Sequence, residues 1–241
     1  MSIKIKKTLA LLFLIIFSGN ILFAQNKDVN KIPPSGDHFM LQISSDQWLG
    51  APDSINSRIK GLSRGFNAYI MLNKTFKKSP SYSIGFGLGI SNSNIYFDKY
   101  AVEIKGPGNN LLFKDLEKTE RFKKYKMATT FVEVPLELRY SSKPETPNKS
   151  FKVAIGGKFG LLVNSHTKGK NLLDNTGRTI NEYTEKITSK RYFNTTRISA
   201  TARVGYGNFS IFGSYALTGI FKNNVAADIN LLQVGLTISG L

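Results

Sequence analysis

The chain contains no cysteine. That excludes disulfide staples, thiolate metal sites, cysteine catalysis and lipidation on a mature N-terminal cysteine. Histidine is almost as scarce. His38 and His166 are the only two, and neither stands in a histidine–carboxylate cluster with ligand-like spacing, so no metal or other cofactor is expected. Past the N-terminus there is no long apolar run, so no membrane-spanning helix is expected. The hydrophobic share of 41% and mean hydropathy of -0.16 suit a soluble protein. They do not exclude a membrane, because a barrel strand turns only alternate residues toward lipid. Acidic residues are also few, 16 against 33 basic ones, for a net charge of +17.

Residues 1–24 read as a cleaved secretory signal. Lys4, Lys6 and Lys7 form a basic start, and Leu9 to Phe17 form an apolar core far shorter than the roughly 20 residues a spanning helix needs. Leu22-Phe23-Ala24 then precedes Gln25, with a small residue at the expected cleavage point. Losing this segment removes three lysines and no acids, so the net charge falls from +17 to +14. A secreted cationic surface faces lipid phosphates, acidic glycans or acidic proteins; no nucleic-acid partner is expected. A polar lead-in, 25–38, precedes the main domain at 39–241.

Within that domain the dominant signal is period-two alternation in short segments. The clearest case sets Tyr82, Ile84, Phe86, Leu88 and Ile90 against Ser83, Gly85, Gly87, Gly89 and Ser91. Large apolar groups on one face and small ones on the other suit a wall between lipid and a crowded lumen. Seven further segments alternate in the same way: 39–44, 66–73, 131–140, 151–161, 197–206, 209–217 and 232–239. The connections between them run 50–61, 74–80, 92–125, 141–150, 164–193, 207–208 and 219–230. Long and short alternate, as they do in barrels with long extracellular loops and short periplasmic turns. Aromatic residues flank the short turns: Tyr82, Tyr140, Phe151, Tyr206 and Phe209. The expected architecture is all-β, an eight-stranded antiparallel up-and-down transmembrane barrel. The Gly207-Asn208 pair predicts a type II′ hairpin that sets Tyr206 opposite Phe209 and Arg203 opposite Phe212. Pro135 inside the fourth strand predicts a local bulge, since proline cannot donate to the ladder. Gly157 and Gly213 fall on outward faces.

Phe131-Val132-Glu133-Val134-Pro135-Leu136-Glu137-Leu138-Arg139-Tyr140 resembles the "E-V-P-L" strand of the PorT-like outer-membrane β-barrel proteins. Gly205-Tyr206-Gly207, Phe212-Gly213-Ser214-Tyr215 and Leu217-Thr218 before Phe221 are similar to that family's penultimate hairpin. Gly235-Leu236-Thr237-Ile238 is similar to its closing strand. The resemblance implies the barrel fold and an outer-membrane location. It also implies a link to type IX secretion, through the family's named member. The chain departs from the pattern at its end, where Leu241 stands in place of a closing aromatic residue. With no segment after Leu241, no peptidoglycan-anchoring domain is expected.

Little points to catalysis. Asn164-Ser165-His166 lies where the fifth strand leaves the membrane, but adjacent residues of a strand face opposite sides, so Ser165 and His166 pair only in an irregular loop. Gly85, Gly87 and Gly89 lie in a strand with no helix after it, which argues for close packing and against a nucleotide loop. No enzymatic activity is expected. The informative set faces inward: Glu133, Glu137 and Arg139, Lys152 and Lys158, Arg197 and Arg203. Charges in a narrow lumen are paired or hydrated, which predicts a structural charge network of Glu133, Glu137, Arg139, Lys158, Arg197 and Arg203. The charged stretches 114–126 and 182–193 read mainly as surface loops; continued strands or partner contacts are the alternatives. The expected function is a non-enzymatic barrel with a filled lumen. Its loops would meet envelope proteins, outer-membrane lipid or lipopolysaccharide. The alternatives are a small passive channel and a lipid A-modifying barrel enzyme.

Overall fold

Alternation turns one face of each strand into an apolar surface and the other into a polar one, and closing the sheet buries the polar face inside. The computed structural model describes residues 38–240. The signal segment with its cleavage point, most of the lead-in, and Leu241 lie outside the described residues. Among the described residues the elements run β1 (Phe39–Leu49), α1 (Asp53–Asn56), β2 (Arg64–Phe76), β3 (Ser79–Phe97), β4 (Tyr100–Glu103), β5 (Leu112–Asp115), β6 (Arg121–Ser141), β7 (Phe151–Leu173), β8 (Thr179–Thr188), β9 (Thr196–Tyr206), β10 (Phe209–Ala216) and β11 (Asn230–Ser239).

Eight of these close a barrel in the order β1-β2-β3-β6-β7-β9-β10-β11, with β11 returning to pair with β1. Every pairing is antiparallel. The faces fall where the alternation puts them. Ile43, Ile70 and Leu236 point outward with 60–65% exposure, while Asn67 and Thr237 point inward with none. So broad an apolar exterior belongs in lipid. On β2 this face is bounded by the outward Arg64 above Phe66 and Lys74 below Leu72. Ten residues of tilted strand cover roughly 25 Å, the height of a lipid-facing band. At the short-turn end, the exposed Tyr82 and Tyr140 rings lie 5.3 Å apart and Phe151 is opposite Tyr206, forming one interfacial girdle.

The β9–β10 register matches the hairpin prediction, with Tyr206 opposite Phe209 and Arg203 opposite Phe212. Gly207 has φ +59 and Asn208 is not left-handed, the signature of a type II′ turn. Two expectations are corrected. Pro135 carries no bulge. Its ladder with β3 is interrupted opposite Gly87–Leu88 and resumes in the same register, and the irregularity on β6 lies instead at Thr130/Phe131. A missing N–H removes hydrogen bonds but does not demand an extra residue. Second, 92–125 and 164–193 are not simple loops. β3, β6 and β7 run well past the lipid-facing band, β8 pairs with the end of β7, and β4–β5 form a separate hairpin. Polar alternation outside lipid carries no hydrophobic signature, so the sequence offers continued strands only as the alternative for 114–126 and 182–193, and strands do run through 121–126 and 182–188.

Candidate functional site

The lumen is built from three inward carboxylates. Glu133 stands opposite Gly89 on β3 and Gly160 on β7, and Glu137 opposite Gly85 and Gly156. The absent side chains leave the room that each acid and its partners occupy. At Gly160 a Cβ would crowd Glu133 Cγ at 3.1 Å, and at Gly85 it would collide with the Arg139 guanidinium. Glu133 Oε1 accepts hydrogen bonds from Arg197 Nη2 at 2.7 Å and Nε at 3.1 Å, and its Oε2 accepts one from the Tyr69 hydroxyl at 2.6 Å. Arg197 also donates to Ser91 Oγ at 2.8 Å and lies 4.0 Å over the Phe131 ring. Lys158 donates to Gln42 Oε1 at 3.4 Å, and its ammonium sits 5.3 Å over the Tyr69 ring and 5.6 Å over Phe212.

One layer nearer the short turns, Glu137 Oε2 is 2.9 Å from Arg139 Nε and 3.1 Å from Arg203 Nη2. All six residues of the predicted lumen set are buried; the fold brings five of them into two ion-pair layers, and seats Lys158 beside the first through Gln42 and the two aromatic rings. Lys152 is buried below them, lining a cavity of about 30 Å³ with Asn73, Arg139 and Arg203.

The third carboxylate, Asp46, was not singled out from sequence. It accepts hydrogen bonds from Ser44 Oγ at 2.5 Å and Gln233 Nε2 at 3.1 Å. The alternation Gln42-Ser44-Asp46 signals it, but the outward Ser45 and Gln47 break the apolar pattern and make the strand read as ended at Ser44. For Tyr69 and Gln42 the alternation gives an inward position and nothing more.

Above Asp46 the chain closes over the long-loop end. Trp48 packs edge-on to Phe97 at 5.6 Å and to Phe221 at 5.7 Å, and Phe193 meets Phe221 at 5.3 Å. Tyr192, Ile229 and Ile104 complete this buried apolar layer. The Tyr192 hydroxyl donates to the Gly106 and Gly108 carbonyls at 2.7 Å, tying the 98–120 segment down. Between the apolar layer and Arg197 is a cavity of about 20 Å³, room for a single water. Arg58 binds Asp115 at 2.7 Å and Glu117 at 2.9 Å. The Arg58 and Lys99 hydrogen bonds hold the Glu117 carboxyl below its ordinary range.

The remaining candidates are not brought together. Ser165 is buried and donates to the Ser189 carbonyl at 2.6 Å, while His166 faces outward with Asn164 Nδ2 at 3.3 Å from its Nδ1. His38 is exposed at the start of β1.

The model of the outer membrane protein beta-barrel domain matches residues 23–222. This chain belongs to that family. Membership, the closed eight-stranded barrel and the lipid-suited exterior together make the barrel an outer-membrane protein. No curated protein matches the chain. The barrel thus carries charge in two places: paired layers in the lumen, and an outward extension rich in lysine.

Proposed function

We propose that this outer-membrane barrel is non-enzymatic and non-conducting, and that it acts through its extracellular extension on other envelope components. The observation that carries the reading is the lumen's composition. Glu133 and Glu137 are each held by arginine, and the apolar layer around Trp48 and Phe221 covers the long-loop end. An interior of eight strands is just wide enough for side chains to fill, and paired charges resist displacement because a stranded one costs several kcal/mol. Envelope proteins and lipopolysaccharide are the partners to which the extension is open. The "E-V-P-L" strand and the penultimate hairpin support membership among the PorT-like proteins, and by that resemblance alone a link to type IX secretion.

Planar-bilayer recording tests this. The purified wild-type barrel is expected to give no stable, large conductance steps, and Glu137→Ala to introduce leak. Large steps from wild type would overturn the closed lumen and establish the small-solute channel.

A further inference from the structure

Past the lipid-facing band, β3, β6, β7 and β8 continue as a four-stranded wall whose register aligns outward side chains into rows. Tyr96, Lys126, Lys168 and Lys186 stand directly opposite one another across the four strands. One row farther out, Lys124 faces Lys170. Met127 and Thr167, the next pair toward the membrane, are buried on the inner side, as is Gly169 between the two rows, so alternation puts these five lysines on the outer face.

Like charges directly opposite on neighbouring strands destabilise a sheet, so this arrangement calls for a counter-charge. The chain supplies little. Glu185 stands opposite Gly169, on the other face. Asp98, just past the end of β3, is taken by Lys60 at 3.1 Å. Among the described residues no carboxylate lies within ion-pair distance of Lys124, Lys126, Lys168, Lys170 or Lys186. Lys126 is positioned by neutral groups, donating to Asn94 Oδ1 at 2.7 Å and lying 5.8 Å over the Tyr96 ring. Burial and then the neighbouring lysine charges hold Lys126 and His166, both beyond the lipid-facing band, below their ordinary pKa values.

Position completes the case. On β7 the outward apolar series ends at Leu161 and Val163, five residues before Lys168. That is roughly 12 Å of tilted strand, within which long lysine stems reach back to the headgroup layer.

We propose that this lysine wall binds the phosphates of a phosphorylated glycolipid in the outer leaflet, whose acyl chains lie against the apolar face beneath. This deepens the reading above by naming a ligand class for the extension. Lysines on adjacent strands, with Cβ atoms about 5 Å apart, converge on one phosphate, and two rows accommodate a diphosphorylated headgroup.

The test is native mass spectrometry of the full-length protein in mild detergent. The probes are diphosphorylated lipid A, its dephosphorylated form and inorganic pyrophosphate. Wild type is expected to retain diphosphorylated lipid A at least tenfold better than the dephosphorylated lipid. The combined Lys126→Gln, Lys168→Gln, Lys186→Gln variant should lose roughly ten- to a hundredfold in affinity. Lys143→Gln with Lys149→Gln, at the opposite end, should not change it. Equal retention by the triple variant, or an equal loss in the control, overturns the site. Competition by pyrophosphate at matched concentration overturns the lipid assignment, since it marks a free-polyanion site. A heat-modifiable gel shift verifies that each variant is folded. Wild-type retention should also fall steeply with added salt, and salt-insensitive retention overturns the proposal without any variant. A barrel that conducts yet binds lipid A refutes the closed lumen alone; a silent barrel that ignores lipid A refutes the lysine wall alone.

Discussion

Arg197 holds Glu133 at 2.7 Å with both side chains under 10% exposed. Each ion gave up water to enter the lumen, so removing one partner leaves the other charge stranded. Arg197→Ala is therefore expected to destabilise the barrel by about 3–5 kcal/mol. Tyr69→Phe removes one neutral donor to Glu133 and should cost about 1–3 kcal/mol. Reversible unfolding in lipid vesicles measures both, and the double variant should fall short of additivity because both groups share one carboxylate. An Arg197→Ala barrel as stable as wild type would show that Glu133 is hydrated. The glycines offer a sharper contrast. A Cβ at Gly156 would run into the Leu136 carbonyl, whereas at Gly213 it meets nothing within 4 Å. Gly156→Ala should fail to assemble or lose several kcal/mol, and Gly213→Ala should lie within about 0.5 kcal/mol of wild type.

At the scale of elements, the extracellular segments are tied down one by one. Arg58 bridges to Asp115 and Glu117, linking the residues after α1 to the end of the β4–β5 hairpin. The folded-state pKa of Glu117 is depressed, so its contribution is present at neutral pH and is lost as pH falls through the folded value, below the ordinary 4.5. These groups are exposed, so global stability should scarcely change. What should change is local protection. Protection factors in 115–119, taken against intrinsic exchange at each pH, are expected to fall on acidification while those of Glu133 and Glu137 hold. A uniform fall would place the acid sensitivity in the lumen instead. The β9–β10 hairpin was fully legible beforehand, since a two-residue Gly-Asn turn permits one register. The β4–β5 hairpin was not, because its four-residue strands follow no lipid-imposed pattern.

For the whole molecule, the controlling fact is that apolar side chains face outward and charges inward. Ile70 lies near the middle of the band between Arg64 and Lys74 and is 60% exposed. Ile70→Arg is expected to cost about 2–4 kcal/mol in a bilayer, measured by unfolding from vesicles. In detergent, where the band adapts, the loss should be smaller. An equal loss in both would mean that Ile70 packs against protein and not lipid.

The sequence by itself determined the eight spanning strands, their inward and outward faces, the hairpin register at Gly207 and the six charges of the lumen. Each follows from a rule local to the chain: period-two alternation imposed by lipid on one side, or a turn that admits one geometry. Tertiary structure alone decided which charges meet. Glu133 and Arg197 lie 64 positions apart, and barrel closure at β1–β11 is needed to bring Gln42 and Lys158 to the same layer. It also decided the apolar layer of Trp48, Phe193 and Phe221, which gathers one residue from β1 and one from each of two separate connections. The lysine wall is of the same kind. Its charges are plain in the sequence, but only the pairing of β6, β7 and β8 sets them side by side on one outward face.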